Sequence, residues 1–152
     1  MNITVVCVGN IKEKFFKDAC AEYIKRITRF GKVNIFEAEE CHNGDRQDAV
    51  KEGKLLLKKI NPSSYKIALC VEGKKASSEK LAEIIDRAGI NGKSEITFII
   101  GGSDGLSDEV KQAADLRLSF SDMTFPHQLM RVILLEQVYR AFKISAGEKY
   151  HK

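Results

Sequence analysis

Apolar and polar positions along the chain switch repeatedly between two periods. The opening "NITVVCVG" is a short apolar run closed by glycine, the form of a buried strand. From Lys12 to Gly31, Phe15, Phe16, Ala19, Cys20, Tyr23, Ile24 and Ile27 recur at helical spacing, and Gly31 reads as the stop. "KVNIFEAEE" alternates as a half-buried strand does. "CHNGDRQ" is a loop in which Asp45 can open the next helix, "DAVKEGKLLLKKI", whose middle Gly53 weakens. After the break at "NPSS", "YKIALCVEG" is a third strand. "SSEKLAEIIDRAG" is a helix with a serine start and a glycine stop. "SEITFIIGG" is a fourth strand, and its nearly continuous apolar run predicts a central place in the sheet. "LSDEVKQAA" is a short helix opening at Ser107, "LRLSFS" is a fifth strand, and Pro126 suits the first turn of a long last helix.

Strands alternating with helices predict an α/β fold, a mainly parallel sheet flanked by helices. The 152 residues contain no repeat and no linker, so residues 1–152 form a single domain. No apolar run is long enough for a membrane span, and the N-terminal run lacks the basic flank of a signal peptide. Cys7, Cys20, Cys41 and Cys70 form no Cys-x-x-Cys pair, which predicts free thiols and a cytoplasmic protein. Cys41, His42 and Asp45 are too few and too irregularly spaced for a metal site, so no metal is expected. A net charge of +4 permits a nucleic-acid partner without requiring one.

Ligands of parallel sheets sit beyond the carboxyl ends of the strands. Three segments fall there: "VEGKKAS", "GGSDGLS" and "SFSDMTFP". Neither glycine-bearing loop has the spacing of a dinucleotide fingerprint or a triphosphate-binding loop. "GGSDGLS" suits either close backbone approach to a ligand or a plain tight turn. "SFSDMTFP" mixes hydroxyls, one carboxylate and apolar side chains, a lining for a small amphipathic ligand or else an irregular helix lead-in.

The last helix carries two arginines. With His127 at zero and about 100° per residue, Val138, Arg131, Phe142 and Leu135 fall between about 20° and 80°. Arg131 thus shares a face with His127 and large apolar residues. A guanidinium there either bonds to a carboxylate or carbonyls inside the fold or faces a cleft holding an anionic or polar partner. Arg140 lies one turn beyond Glu136, the spacing of a surface ion pair. The helix is apolar over most of its circumference, which predicts burial against a partner chain and hence a homodimer. The tail "GEKYHK" sets Tyr150 between basic residues, a composition that suits either RNA contact or a solvated terminus.

Together, "FIIGGSDGLS", "LSFSDMTFPHQLMRVILLEQVYRAFKI" and "GEKYHK" closely resemble the RlmH (YbeA) family of SPOUT-superfamily methyltransferases, and the likeness extends from "ITVVCVGNIKEKF" through the whole chain. That resemblance implies a C-terminal trefoil knot, a homodimer and S-adenosylmethionine as cofactor. It also implies methylation of N3 of a pseudouridine in 23S ribosomal RNA, near the decoding centre of the assembled ribosome. Carried over residue by residue, it gives a cofactor site of Leu69, Gly101, Gly102, Phe120, Ser121, Asp122, Met123, Thr124 and Phe125. The N3 proton must leave, and His127, His151 and Asp122 are candidate acceptors. Arg131 is a candidate to line the cleft between cofactor and RNA, and Arg131, Arg140, Tyr150, His151 and Lys152 are candidates for RNA contact.

Overall fold

The computed structural model describes residues 1–45 and 47–152. Its elements run β1 (Asn2–Val8), α1 (Lys14–Ile27), β2 (Val33–Ala38), α2 (Gln47–Lys59), β3 (Tyr65–Lys75), α3 (Ser78–Ile90), β4 (Glu95–Ile100), α4 (Asp108–Ala113), β5 (Leu116–Ser119) and α5 (His127–Ser145). The five strands form one sheet in the order β2-β1-β4-β3-β5, with every pairing parallel. β4 is the middle strand, where its continuous apolar run predicts it, because helices cover both of its faces.

Period-two alternation splits the core into two layers. Ile3, Val5 and Cys7 of β1 face a cluster with Phe98, Leu134, Val138 and Phe142, under α1, α3 and α5. Val6 and Val8 face the other side, packed with Leu56, Ile99 and Val110 under α2 and α4. α5 is enclosed mainly by α1 and α3 of its own chain, so much of its apolar circumference is buried without a partner. Leu129, Val132 and Ile133 remain half-buried.

Two glycines do something other than their sequence context suggests. Gly31 is not a left-handed helix stop. A Cβ there would lie 1.9 Å from the Met1 carbonyl oxygen, so the position is small because the N-terminal backbone crosses it. Gly53 sits where α2 and α4 come together. A Cβ there would meet Ser107 Oγ at 2.4 Å, the side chain that accepts the Val110 N–H and caps α4.

β3 is longer than its apolar pattern and is interrupted. Leu118 of β5 pairs with both Leu69 and Lys74, so residues 70–73 leave the ladder between two paired stretches. Gly73 closes that excursion against β5, where a Cβ would come within 2.7 Å of the Leu118 backbone.

Candidate functional site

Beyond the carboxyl ends of β3, β4 and β5, three chain segments enclose a cavity of about 670 Å³. The β3 excursion forms one wall through Leu69, Cys70, Val71 and Glu72. The β4 wall is a tight turn in which the Gly105 N–H donates to the Gly102 carbonyl at 3.0 Å and Gly105 has φ +76°. Gly101 is obligatory there, because a Cβ would fall 2.5 Å from the Gly105 carbonyl oxygen. Gly102 has Val8 and Glu52 behind it, at 3.0 and 3.1 Å from the position of an added Cβ. The third wall follows β5. The Ser119 hydroxyl donates to the Ser121 carbonyl at 3.0 Å, and Ser121 Oγ accepts the Met123 N–H at 2.9 Å. Those bonds hold Phe120, Thr124 and Phe125 on the cavity while Met123, 74% exposed, stands at its rim.

Of the nine residues that the resemblance assigns to a cofactor, eight line this cavity: Leu69, Gly101, Gly102, Phe120, Ser121, Met123, Thr124 and Phe125. Asp122 does not. Its carboxylate turns outward and pairs with Lys75. His127 lines the cavity at the start of α5. Glu72 and Lys111 form an ion pair at the cavity edge that no sequence motif marks. The signal is their position, Glu72 in the unpaired stretch of β3 and Lys111 within α4.

Arg131 is 2% exposed and does not line the cavity. Its Nη1 donates to Glu37 Oε2 at 2.7 Å and its Nη2 donates to the Gly9 carbonyl at 3.0 Å, while Nε has no partner among the described residues. Of the two roles open to it from sequence, the observed bonds are the internal ones. They tie α5 to the ends of β1 and β2. Gly9 then places Glu40 and His127 around one point: an added Cβ would be 3.4 Å from Glu40 Oε2 and 3.5 Å from His127 Nε2.

The remaining candidates gather elsewhere on α5. Arg140 binds Glu136 Oε1 through Nε at 3.0 Å and Nη2 at 2.7 Å, the pairing its spacing predicts. The tail folds back onto this pair. The Tyr150 hydroxyl donates to Glu136 Oε1 at 3.2 Å, and its ring lies 4.7 Å from the Arg140 guanidinium. His151 Nδ1 sits 3.3 Å from Arg140 Nη1, and Nε2 sits 2.7 Å from Glu79 Oε1. Glu79 is held down to about 2, first by its own backbone N–H and then by His151. Burial comes first, and Glu136 next, in pushing the Tyr150 phenol up. None of Arg140, Tyr150, His151 and Lys152 lines the cavity of the same chain.

The chain is similar to known proteins over its full length. The family model described as "Predicted SPOUT methyltransferase" matches residues 1–151. The "Ribosomal RNA large subunit methyltransferase H" of Clostridium novyi (strain NT) is 54% identical over 100% of both chains. The protein of the same name from Bacillus pumilus (strain SAFR-032) is 52% identical, again over 100% of both. Among solved structures, a probable methylase family protein from Haemophilus influenzae Rd KW20 superposes with a TM-score of 0.58 at 12% identity, covering 99% of this chain and 70% of that one. That last likeness bears on the fold alone.

Proposed function

The chain belongs to the SPOUT methyltransferase family, and on that footing we propose that it methylates N3 of a pseudouridine in 23S ribosomal RNA on assembled ribosomes, with S-adenosylmethionine as methyl donor. The observation that carries this reading is the single cavity into which the β3, β4 and β5 ends converge. Its volume is in the range of small-molecule sites. Gly101 lets the chain close tightly on Gly105 to form the β4 wall, and Leu69, Phe120 and Phe125 offer apolar contact to an adenine or a thioether. Backbone amides and the Ser121 and Thr124 hydroxyls supply polar edges. When bound, the cofactor supplies a methyl group already activated on a sulfonium. The chain's own task is then to orient the base in line and exclude water. The N3–H proton leaves as the N3–CH3 bond forms, and His127, the one histidine on the cavity wall, is the candidate acceptor within the same chain.

The Arg140–Tyr150–His151–Lys152 cluster lies off that wall, so for these groups to meet the target base they must be presented by a second copy. We therefore assign the working unit as a homodimer in the cytoplasm. The half-buried seam of Val132, Ile133, Phe120 and Phe125 is the apolar surface it would use. The decisive experiment incubates ribosomes lacking the modification with the protein and labelled S-adenosylmethionine, then maps the label. Label at one pseudouridine N3 supports the reading. Transfer to no ribosomal RNA, by protein that binds the cofactor, overturns it.

A further inference from the structure

A second feature of the molecule carries a net positive charge and lies beside the cavity just described. Between α3 and the edge strand β5 runs a groove of about 470 Å³. Lys74, Lys75, Lys80, Arg87 and Lys93 stand around it, against one lining acid, Asp115. Asp115 is already engaged, accepting the Lys66 backbone N–H at 2.8 Å. Glu83 is shared by Lys80 and Arg87 at 2.7 and 2.6 Å, Asp122 holds Lys75, and Lys93 donates to the Ser63 carbonyl at 2.9 Å. Lys74 has no acidic partner within 4.0 Å among the described residues. Five cations against three acids, Asp115, Glu83 and Asp122, leave an excess of two positive charges along the groove. Its floor is apolar, formed by Tyr65, Ile84 and Leu116.

The groove also leads somewhere. Leu118 of β5 lines both the groove and the cavity, so the two meet without crossing the Phe120–Phe125–Ile133 seam. The two depressions therefore adjoin along β5, whose rise from Leu116 to Ser119 is about 10 Å.

We propose that this groove is a track for the phosphodiester backbone of the substrate RNA, delivering the target nucleotide along β5 toward the cavity. The inference rests on the reading that the substrate is RNA. A compact anion would call for buried, convergent donors, whereas four of these five cations are exposed, Lys93 being half-buried, and they are strung out, which matches a polyanion of repeating charge. The apolar floor suits ribose and base faces lying between the phosphates.

The test is the triple variant Lys74→Ala/Arg87→Ala/Lys93→Ala. It is compared with Lys51→Ala/Lys54→Ala/Lys58→Ala on α2, which removes the same charge at a distant face. S-adenosylmethionine binding by calorimetry verifies that each is folded. With unmethylated ribosomes, the groove variant is expected to raise KM roughly 10- to 100-fold at 0.1 M salt, with kcat unchanged. The slope of log KM against log salt should fall by about 2–3, since each phosphate contact contributes about 0.7–0.9. The α2 variant should change neither by more than about a third as much. Equal effects from both triples, or no effect from the groove triple, overturn the proposal. Should the groove triple lose cofactor binding, Lys74→Glu alone is decisive: unchanged KM overturns the track, and a KM raised about tenfold supports it. Should the wild type leave ribosomes unmethylated, the activity reading fails separately. The track is then judged on a fluorescein-labelled 20-nucleotide uridine RNA, whose affinity must show the same loss of salt slope.

Discussion

Removing the exposed member of the Arg131–Glu37 pair should damage the fold more than replacing the buried one. Arg131 is 2% exposed, while the Glu37 side chain is 40% exposed. Glu37→Ala leaves a guanidinium enclosed by apolar side chains and two buried thiols, with the Gly9 carbonyl as its remaining acceptor. Breaking a buried ion pair in this way costs about 3–5 kcal/mol. The lower figure applies here because the vacated side opens to water. Arg131→Met fills most of the same volume. Glu37 is then simply solvated, and the Gly9 carbonyl loses a donor at about 1–3 kcal/mol. That loss is offset by removal of the partnerless Nε and of a charge that no longer has to be desolvated. The expected net change is within about 1 kcal/mol. Urea titrations at pH 7 and one protein concentration measure both, taking shifts in midpoint at constant slope. A Glu37→Ala cost below about 1 kcal/mol, or an Arg131→Met cost exceeding it, would refute the reasoning.

Other outcomes follow from the cavity and its surroundings. Gly101→Ala forces a methyl group against the backbone of Gly105, which cannot rotate away, and should weaken S-adenosylmethionine binding by about tenfold or more, about 1.4 kcal/mol, in calorimetry; unchanged affinity would remove this turn from the site. Burial pushes the Glu52 carboxyl up against the opposing Cys41 N–H, and Glu40, Asp104 and Asp48 add to the rise. Folding therefore takes up a proton above the ordinary carboxylate range, so this contribution is complete at low pH and is lost as pH climbs through the raised value. Glu52→Gln should flatten that decline, so that stability relative to the wild type is higher at pH 8 than at pH 4, and the same pH dependence of melting in both proteins would contradict it. Burial raises the Cys7 thiol to about 11 and raises Cys20 as well. Iodoacetamide at pH 8 should label half-exposed Cys41 and Cys70 in the native protein and reach Cys7 and Cys20 only after denaturation. Native labelling of Cys7 would count against the packing of β1.

Much of this architecture was legible from local pattern, for identifiable reasons. The strands of the sheet carry period-two or continuous apolar runs because helices cover both faces, and Ser77 and Ser107 announce their helices by capping them. The three loops were found because ligand sites of parallel sheets collect at strand ends, a rule that needs only the order of elements. What escaped was long in range. Arg131 reads as an anomaly until Glu37, 94 residues earlier, comes into view. The tail reads as either an RNA contact or a solvated terminus, and nothing local shows that Glu136 and Glu79 pair with its tyrosine and histidine. Asp122 belongs to one of the three loops that line the cavity, yet Lys75 draws it outward. Gly31 and Gly53 look like a stop and a flaw because the backbone and the hydroxyl that demand them lie far away in sequence.

The excursion of residues 70–73 uncouples two quantities that strands ordinarily lock together. Because Leu118 is met by Leu69 on one side and Lys74 on the other, the number of residues in between does not fix how the flanking ladders align. Lengthening or trimming that segment by one residue, with Gly73 kept as its hinge, would reshape one wall of the chamber without rotating any neighbouring side chain to the opposite sheet face. Evolution, or an engineer seeking to admit a bulkier sulfonium analogue, has there a dial for chamber width that leaves the scaffold untouched.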